Sequence, residues 1–204
     1  MSSKTSHTFI PPLPPQGHDH QSNRLRNSTV RWGFAAVALH WSTALAVIGL
    51  FALGLWMTEL TYYDPWYKQA PNIHKSIGVM VFIVSLVRLA WRLLDPAPKP
   101  VQGQGTWERK AAHATHWILY GALFAVMASG YLISTADGRA VSVFGLFEMP
   151  ATLTSIEKQE DVAGVVHLWL AVSLICVVAA HALAALKHHF VDKDNTLKRM
   201  FARP

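Results

Sequence analysis

Val162-Ala-Gly-Val-Val-His167-Leu-Trp-Leu-Ala-Val-Ser-Leu-Ile-Cys-Val-Val-Ala-Ala-His181-Ala-Leu-Ala-Ala-Leu186 contains no Asp, Glu, Lys or Arg. Its length matches the roughly 20 apolar residues that cross a bilayer as a helix. His167 and His181 are 14 residues apart, a rise of about 21 Å and four turns less about 40°. The two imidazoles therefore leave nearly the same face, one near each end of the span. A histidine inside a span is costly unless it has a partner or a task. Two on one stripe suggest two stacked cofactors, one near each membrane surface.

The rest of the chain fits this reading. Of 204 residues, 51% are hydrophobic and only 15% charged, and the charges avoid the long apolar runs. That is the pattern of an integral membrane protein. A net charge of +6 would also suit nucleic acid, but the basic residues flank the apolar runs and form no patch with interleaved aromatics. The single cysteine, Cys176, excludes a disulfide within the chain and any cysteine-based zinc or iron–sulfur centre; its place in a span suits helix packing. Residues 1–30 have no apolar h-region and carry Pro11, Pro12, Pro14 and Pro15. They read as a disordered cytoplasmic tail, not a signal peptide, with His7, His18 and His20 solvated. Residues 31–204 read as one transmembrane domain.

Four stretches can span: about Trp32 to Met57, His74 to Leu94, Ala112 to Ile133, and Val162 to Leu186. Arg88 and Arg92, in the last turns of the second, are expected to snorkel to the interface. Fourteen Lys and Arg fall in the N-terminal segment, the second connection with its approaches, and the C-terminal end, against four (Lys68, Lys75, Arg139, Lys158) on the other side. This places both termini in the cytoplasm of a bacterial inner-membrane protein. Asp95-Pro-Ala-Pro-Lys-Pro100 predicts a stiff inner loop. The long outer connection, Ser134 to Asp161, is expected to hold a short surface helix around Thr154–Glu160. The fold expected is an all-α, four-helix up-down transmembrane bundle, whose interior is a usual place for cofactors.

Depth sorts the histidines. On the outer side only His74 and His167 lie in or at the edge of a span. On the inner side His40 and His181 lie within the apolar zone, whereas His113, His116, His188 and His189 follow basic residues at the interface. Depth therefore favours His40 with His181 and His74 with His167. Neutral imidazoles on facing helices suit the two axial positions of haem iron. Leu174 and Val178 supply an apolar wall between the levels, and Gly78, Gly121, Gly130 and Gly164 permit close approach of a flat macrocycle. Zinc or copper transport would call for carboxylates or sulfur nearby, and no Asp or Glu lies deep in a span. The tryptophans fall mostly near span ends, as an aromatic belt does.

Ala38-Leu-His-Trp41, Asn72-Ile-His74, Val87-Arg-Leu-Ala-Trp-Arg92, Ala112-His-Ala-Thr-His116, Phe144-Gly-Leu-Phe-Glu-Met-Pro150, the His167/His181 pair, His188-His189 and Lys193-Asp-Asn-Thr-Leu-Lys-Arg-Met200 occur in this order. By this ordered set, over about Trp32 to Met200, the chain resembles the bacterial cytochrome b561 family of di-haem four-helix membrane proteins. Within it the chain looks most similar to the stand-alone superoxide oxidase (superoxide:ubiquinone oxidoreductase) branch. The resemblance implies two haem b groups, with iron ligands at His40 and His181 for the inner and His74 and His167 for the outer. It also implies electron flow from superoxide outside to ubiquinone inside. His188 matches a quinone-site histidine. The family's quinone-associated lysine falls at Gly103 in an ungapped alignment, so Lys99, the nearest basic residue, is the candidate.

Superoxide is an anion, yet the outer segments hold seven acids against four bases. Local positive charge must then outweigh the global field, and Lys75 and Arg139 are the candidates. No obligatory protein partner is expected under this reading. The alternative is a cytochrome b subunit that links a partner dehydrogenase or hydrogenase to the quinone pool; a non-redox protein with structural histidines is a third possibility.

Overall fold

The computed structural model describes residues 25–101, 103–154 and 156–201. Four helices, α1 (Phe34–Thr58), α2 (Gln69–Leu94), α3 (Thr106–Ser134) and α4 (Gln159–Phe190), run up and down in sequence order. All four are long and apolar enough to cross a membrane. A two-stranded antiparallel hairpin, β1 (Val141–Val143) and β2 (Phe147–Met149), lies between α3 and α4. A 3-10 turn, Lys198–Met200, follows α4.

The chain folds as two helical pairs. α1 packs mainly on α2 and α3 mainly on α4, whereas contacts between the pairs are sparse. What joins the pairs is an apolar belt at mid-height. Val81 of α2, Leu123 of α3 and Leu174 of α4 are buried there, with Ala46, Val47 and Leu50 of α1 and Val178 of α4 packed against them. Outside the belt, large apolar side chains such as Leu45, Trp169 and Leu183 are about two-thirds exposed. An apolar surface of this kind belongs against lipid, because water would penalise it.

Three of the helices, α2, α3 and α4, begin before the spans that hydropathy marks. α3 begins at Thr106 instead of about Ala112, and α4 has 32 residues, about 48 Å at 1.5 Å per residue. Polar residues continue a helix into the headgroup region, where charge is no longer penalised. At α3 the Gly105 N–H donates to Glu108 Oε2 at 3.1 Å, occupying one of the first turn's spare donors. α4 opens with Glu160 and Asp161 and closes with Lys187, His188 and His189, a charge order that complements its dipole.

Three expectations need correction. Among the described residues no separate helix forms around Thr154–Glu160: Gln159 and Glu160 already belong to α4. The structured part of that connection is instead the hairpin, whose turn uses Phe144 (φ 50°) and Gly145 (φ 72°) and closes with Leu146 N–H to Val143 O at 2.9 Å. Ser76 of α2 pins the turn, accepting from Phe144 N–H at 3.1 Å. The tail expected over residues 1–30 lies outside the described residues for 1–24, including His7, His18 and His20. Its last residues are folded: Asp95, buried at the end of α2, accepts Asn27 N–H at 2.8 Å and Arg26 Nε at 3.2 Å. Finally, Arg88 does not simply snorkel; it turns to His40.

The N-terminal flank, the Pro-rich loop and the C-terminal end are tied together at one end of the bundle. Lys99 N–H donates to Thr29 O (2.9 Å), Arg199 Nη1 to Lys99 O (2.8 Å), and Trp41 Nε1 to Met200 O (2.9 Å).

Candidate functional site

The bundle gathers histidines at two levels, one on each side of the apolar belt. At one level the rings of His74 (α2) and His167 (α4) have centroids 6.3 Å apart. At the other, the rings of His40 (α1) and His181 (α4) are 6.4 Å apart. The two separations can be tested against a metal held between imidazoles. A ring nitrogen about 1.1 Å from its centre and a metal–nitrogen bond of about 2 Å add to roughly 6.3 Å across the pair. Both pairs meet this spacing. His116 of α3 comes closer to His181, at 5.2 Å, too near for a metal bonded to both in line.

The surroundings of the two levels differ in polarity. His167 Nδ1 lies 3.0 Å from the Val126 carbonyl oxygen and 3.0 Å from Ser129 Oγ. A carbonyl only accepts, so Nδ1 carries the proton and Nε2 keeps its lone pair, the tautomer a metal needs. His74 Nδ1 is buried with no hydrogen-bond partner among the described residues. Two glycines let these rings sit against neighbouring backbone: a Cβ on Gly130 would stand 3.0 Å from His167 Cε1, and one on Gly54 3.2 Å from His74 Cε1. Of the glycines expected to matter, Gly78, Gly121 and Gly164 have no such neighbour within 4 Å.

At the other level a cation is the neighbour. Arg88 Nη2 is 2.7 Å from His40 Nδ1, and the same guanidinium stands over the Tyr120 ring, 5.4 Å from its centroid. Arginine only donates, so His40 Nδ1 accepts here and the proton of the neutral ring sits on Nε2. This contact must give way before His40 can offer Nε2 to a metal. Among the described residues no carboxylate lies within ion-pair distance of Arg88.

Lys75 and Arg139 come together on one cleft of about 450 Å³, lined also by Asn72, Ile73, Asp137, Ser134 and Phe144; the sequence neighbours of His74 line it, and His74 itself does not. Arg139 is not free there: its Nε donates to Asp137 Oδ2 at 2.6 Å. That hydrogen bond holds the Asp137 carboxyl below the usual carboxylate value. Lys75 forms no ion pair among the described residues, so it carries the cleft's uncompensated charge.

At the opposite end His188 Nδ1 is 2.9 Å from Asp192 Oδ2 and 3.2 Å from Asp194 Oδ2. Lys187 bridges Glu108 and Asp192, 2.8 Å from each. Lys99 is exposed and held by its backbone; no hydrogen bond joins it to His188 among the described residues. Arg88, His116, Ser129, Gly54 and the two aspartates are the neighbours that sequence reading missed. His116 follows Arg109-Lys110 closely, but α3 has already run ten residues by then, which carries it inward. Ser129 and Gly54 reach their histidines across helices, and local spacing holds no trace of that.

A sequence model described as prokaryotic cytochrome b561 matches residues 31–203. The chain is 50% identical over 177 residues to cytochrome b561 homolog 2 of Escherichia coli K12, covering 87% of this chain and 94% of that protein. It is 33% identical over 168 residues to a probable superoxide oxidase, CybB, of Yersinia pestis, covering 82% and 93%. To cytochrome b561 homolog 1 of E. coli K12 it is 29% identical over 177 residues, covering 85% and 98%.

Proposed function

The chain belongs to the prokaryotic cytochrome b561 family, and from that premise we propose that it oxidises superoxide at its outer end and reduces ubiquinone at its inner end, using two b haems. It is a membrane electron-transfer protein of bacterial type, and haem b is the cofactor its family implies. When bound, haem supplies a one-electron iron couple. His74 with His167, and His40 with His181, would hold the two irons. The observation that carries this reading is the pair of matched ring separations, 6.3 and 6.4 Å, on either side of one apolar belt.

The chain's own residues divide the remaining work. Val126 and Ser129 fix the tautomer of His167. Leu174 and its neighbours keep water out between the levels. Lys75, helped by the partly neutralised Arg139, attracts an anion to the cleft lined by the sequence neighbours of His74. Two superoxide ions lose one electron each and leave as dioxygen, while one ubiquinone gains two electrons and two protons. His188, set between two carboxylates, and Lys99 are the quinone-side groups in this reading. Support for the donor comes from the Yersinia pestis relative described as a probable superoxide oxidase. Support for cytoplasmic termini comes from the fourteen-to-four distribution of Lys and Arg.

Stopped-flow mixing of the purified protein with superoxide tests the reading. The b-type absorption should rise faster than spontaneous dismutation removes superoxide, and added ubiquinone should be reduced. Purified protein with no b-type band would overturn the haem assignment. A band that dithionite reduces and superoxide does not would overturn the donor and favour a subunit fed by a partner dehydrogenase.

A further inference from the structure

We propose that Arg199 is a positioning residue of the quinone-side site: it holds the backbone of Lys99 so that the Lys99 ammonium is presented to a carbonyl oxygen of ubiquinone. The inference rests on the quinone reading above and adds to it the residues that build that site.

The loop between α2 and α3 reads Asp95-Pro-Ala-Pro-Lys-Pro100. Proline has no N–H, so between Pro96 and Pro100 only Ala97 and Lys99 offer one. Lys99 commits both of its backbone groups. Its N–H donates to Thr29 O at 2.9 Å, and its carbonyl accepts from Arg199 Nη1 at 2.8 Å. Its side chain is exposed and makes no ion pair among the described residues. A side chain on a backbone clamped from both sides has less freedom left to lose when it takes a ligand, which favours binding.

The same piece of chain reaches His188. After α4, Lys193 adopts φ 54°, a left-handed conformation that residues other than glycine seldom take, and the chain doubles back. Asp194 N–H then donates to His188 O at 3.0 Å, and Asp194 Oδ2 stands 3.2 Å from His188 Nδ1. Gln104, at the far end of the loop that holds Lys99, donates to Thr196 Oγ1 at 2.9 Å and to Asp194 Oδ2 at 3.3 Å. Beyond Arg199, Met200 O accepts Trp41 Nε1 at 2.9 Å, and the Trp41 ring meets that of His40 edge-on, 5.4 Å between centroids. From Asp194 to Arg199 is five residue steps, at most about 18 Å. His188 and Lys99 are thus fixed by one short segment, which ends against the neighbour of His40.

Steady-state reduction of ubiquinone-1 by superoxide, with the haem-loaded full chain, tests this. Arg199→Gln should raise the KM for ubiquinone-1 about tenfold, the order expected when one charge-assisted hydrogen bond is lost. Haem reduction by superoxide without quinone should keep its wild-type rate. Arg199→Lys, which still donates to a carbonyl, should recover most of the KM. Lys198→Gln, which removes the exposed cation next in sequence, should leave it unchanged. The double variant separates positioning from general damage: in a Lys99→Gln background Arg199→Gln should add little, because both changes cut the same interaction. An unchanged KM in Arg199→Gln, or a full tenfold loss on top of Lys99→Gln, would overturn the proposal. Should Arg199→Gln fail to load haem, Gln104→Ala, which cuts the second tie between loop and segment, decides: its KM must rise with the b-type spectrum intact, and an unchanged KM overturns the proposal. Wild-type protein whose superoxide-reduced haems ubiquinone-1 does not reoxidise would instead defeat the quinone reading.

Discussion

His167 points its Nδ1 at the carbonyl oxygen of Val126, 3.0 Å away, and its ring centre lies 6.3 Å from that of His74. A backbone carbonyl in α3 thereby orients a side chain in α4 whose counterpart stands on α2. The site is built by three helices, and its geometry depends on each.

His74→Ala and His167→Ala should therefore remove the same haem and leave the other. His40→Ala and His181→Ala should remove the remaining one. Haem-to-protein ratio would fall from two to one in all four variants, and redox titration would show the same surviving component within each pair. Loss of different components by His74→Ala and His167→Ala would refute the pairing.

Gly130→Ala tests the close approach at the outer level. The added methyl would lie 3.0 Å from His167 Cε1 and 3.3 Å from Nδ1, tighter than van der Waals contact allows. Overpacking of this kind costs about 1–3 kcal/mol. Thermal unfolding in detergent should show the loss, with altered absorption from the outer haem alone. Gly121→Ala, where the Cβ meets nothing within 4 Å, should behave as wild type.

Asp95→Ala should loosen the end of the bundle where the N-terminal flank is tied down. Its buried carboxylate accepts both the Asn27 N–H and the Arg26 side chain, and a hydrogen bond to a charged group contributes about 1.5–3 kcal/mol. Limited proteolysis should open the chain near residues 25–33 first. Protection equal to wild type would show that this anchor is dispensable.

On the superoxide reading proposed above, charge in the Lys75–Arg139 cleft should tune superoxide capture. Lys75→Gln should slow it about twofold, the effect of one charge some 10 Å away in water, and added salt should shrink the difference. Asp137→Asn should speed it by a similar factor by unmasking Arg139. The pH dependence has a definite sign. Arg139 holds the Asp137 carboxyl below its ordinary value, so the ion pair is intact throughout the neutral range and is lost only as pH falls below the usual carboxylate region. Wild type should thus show no titration from Asp137 near neutrality. A change in capture rate at neutral pH that Asp137→Asn abolishes would contradict this.

Much of the bundle was legible because membrane burial writes itself into hydropathy: the runs ending at Met57, Leu94, Ile133 and Leu186 each end inside an observed helix, and only Trp32 and Gly33 at the start of the first fall outside one. His40, His74, His167 and His181 could be ranked by depth because a helix converts sequence distance into height. Leu174 and Val178 followed from the same register. Lateral relations were not legible. Arg88 carries the signature of a snorkelling residue, and only the facing position of α1 shows that it meets His40. The hairpin escaped because each strand has three residues and its turn uses Phe144 at positive φ, a conformation that normally signals glycine.

α4 supplies one histidine to each level, and it is the last of the four helices to be made. A nascent chain that has inserted α1, α2 and α3 presents His40 and His74 with neither counterpart. On the di-haem reading proposed above, both haems would then be captured after, or together with, insertion of the final helix. Cofactor loading becomes a late and nearly simultaneous event in biogenesis, and a chain cut before Gln159 would reach the membrane as a three-helix species with neither histidine pair complete.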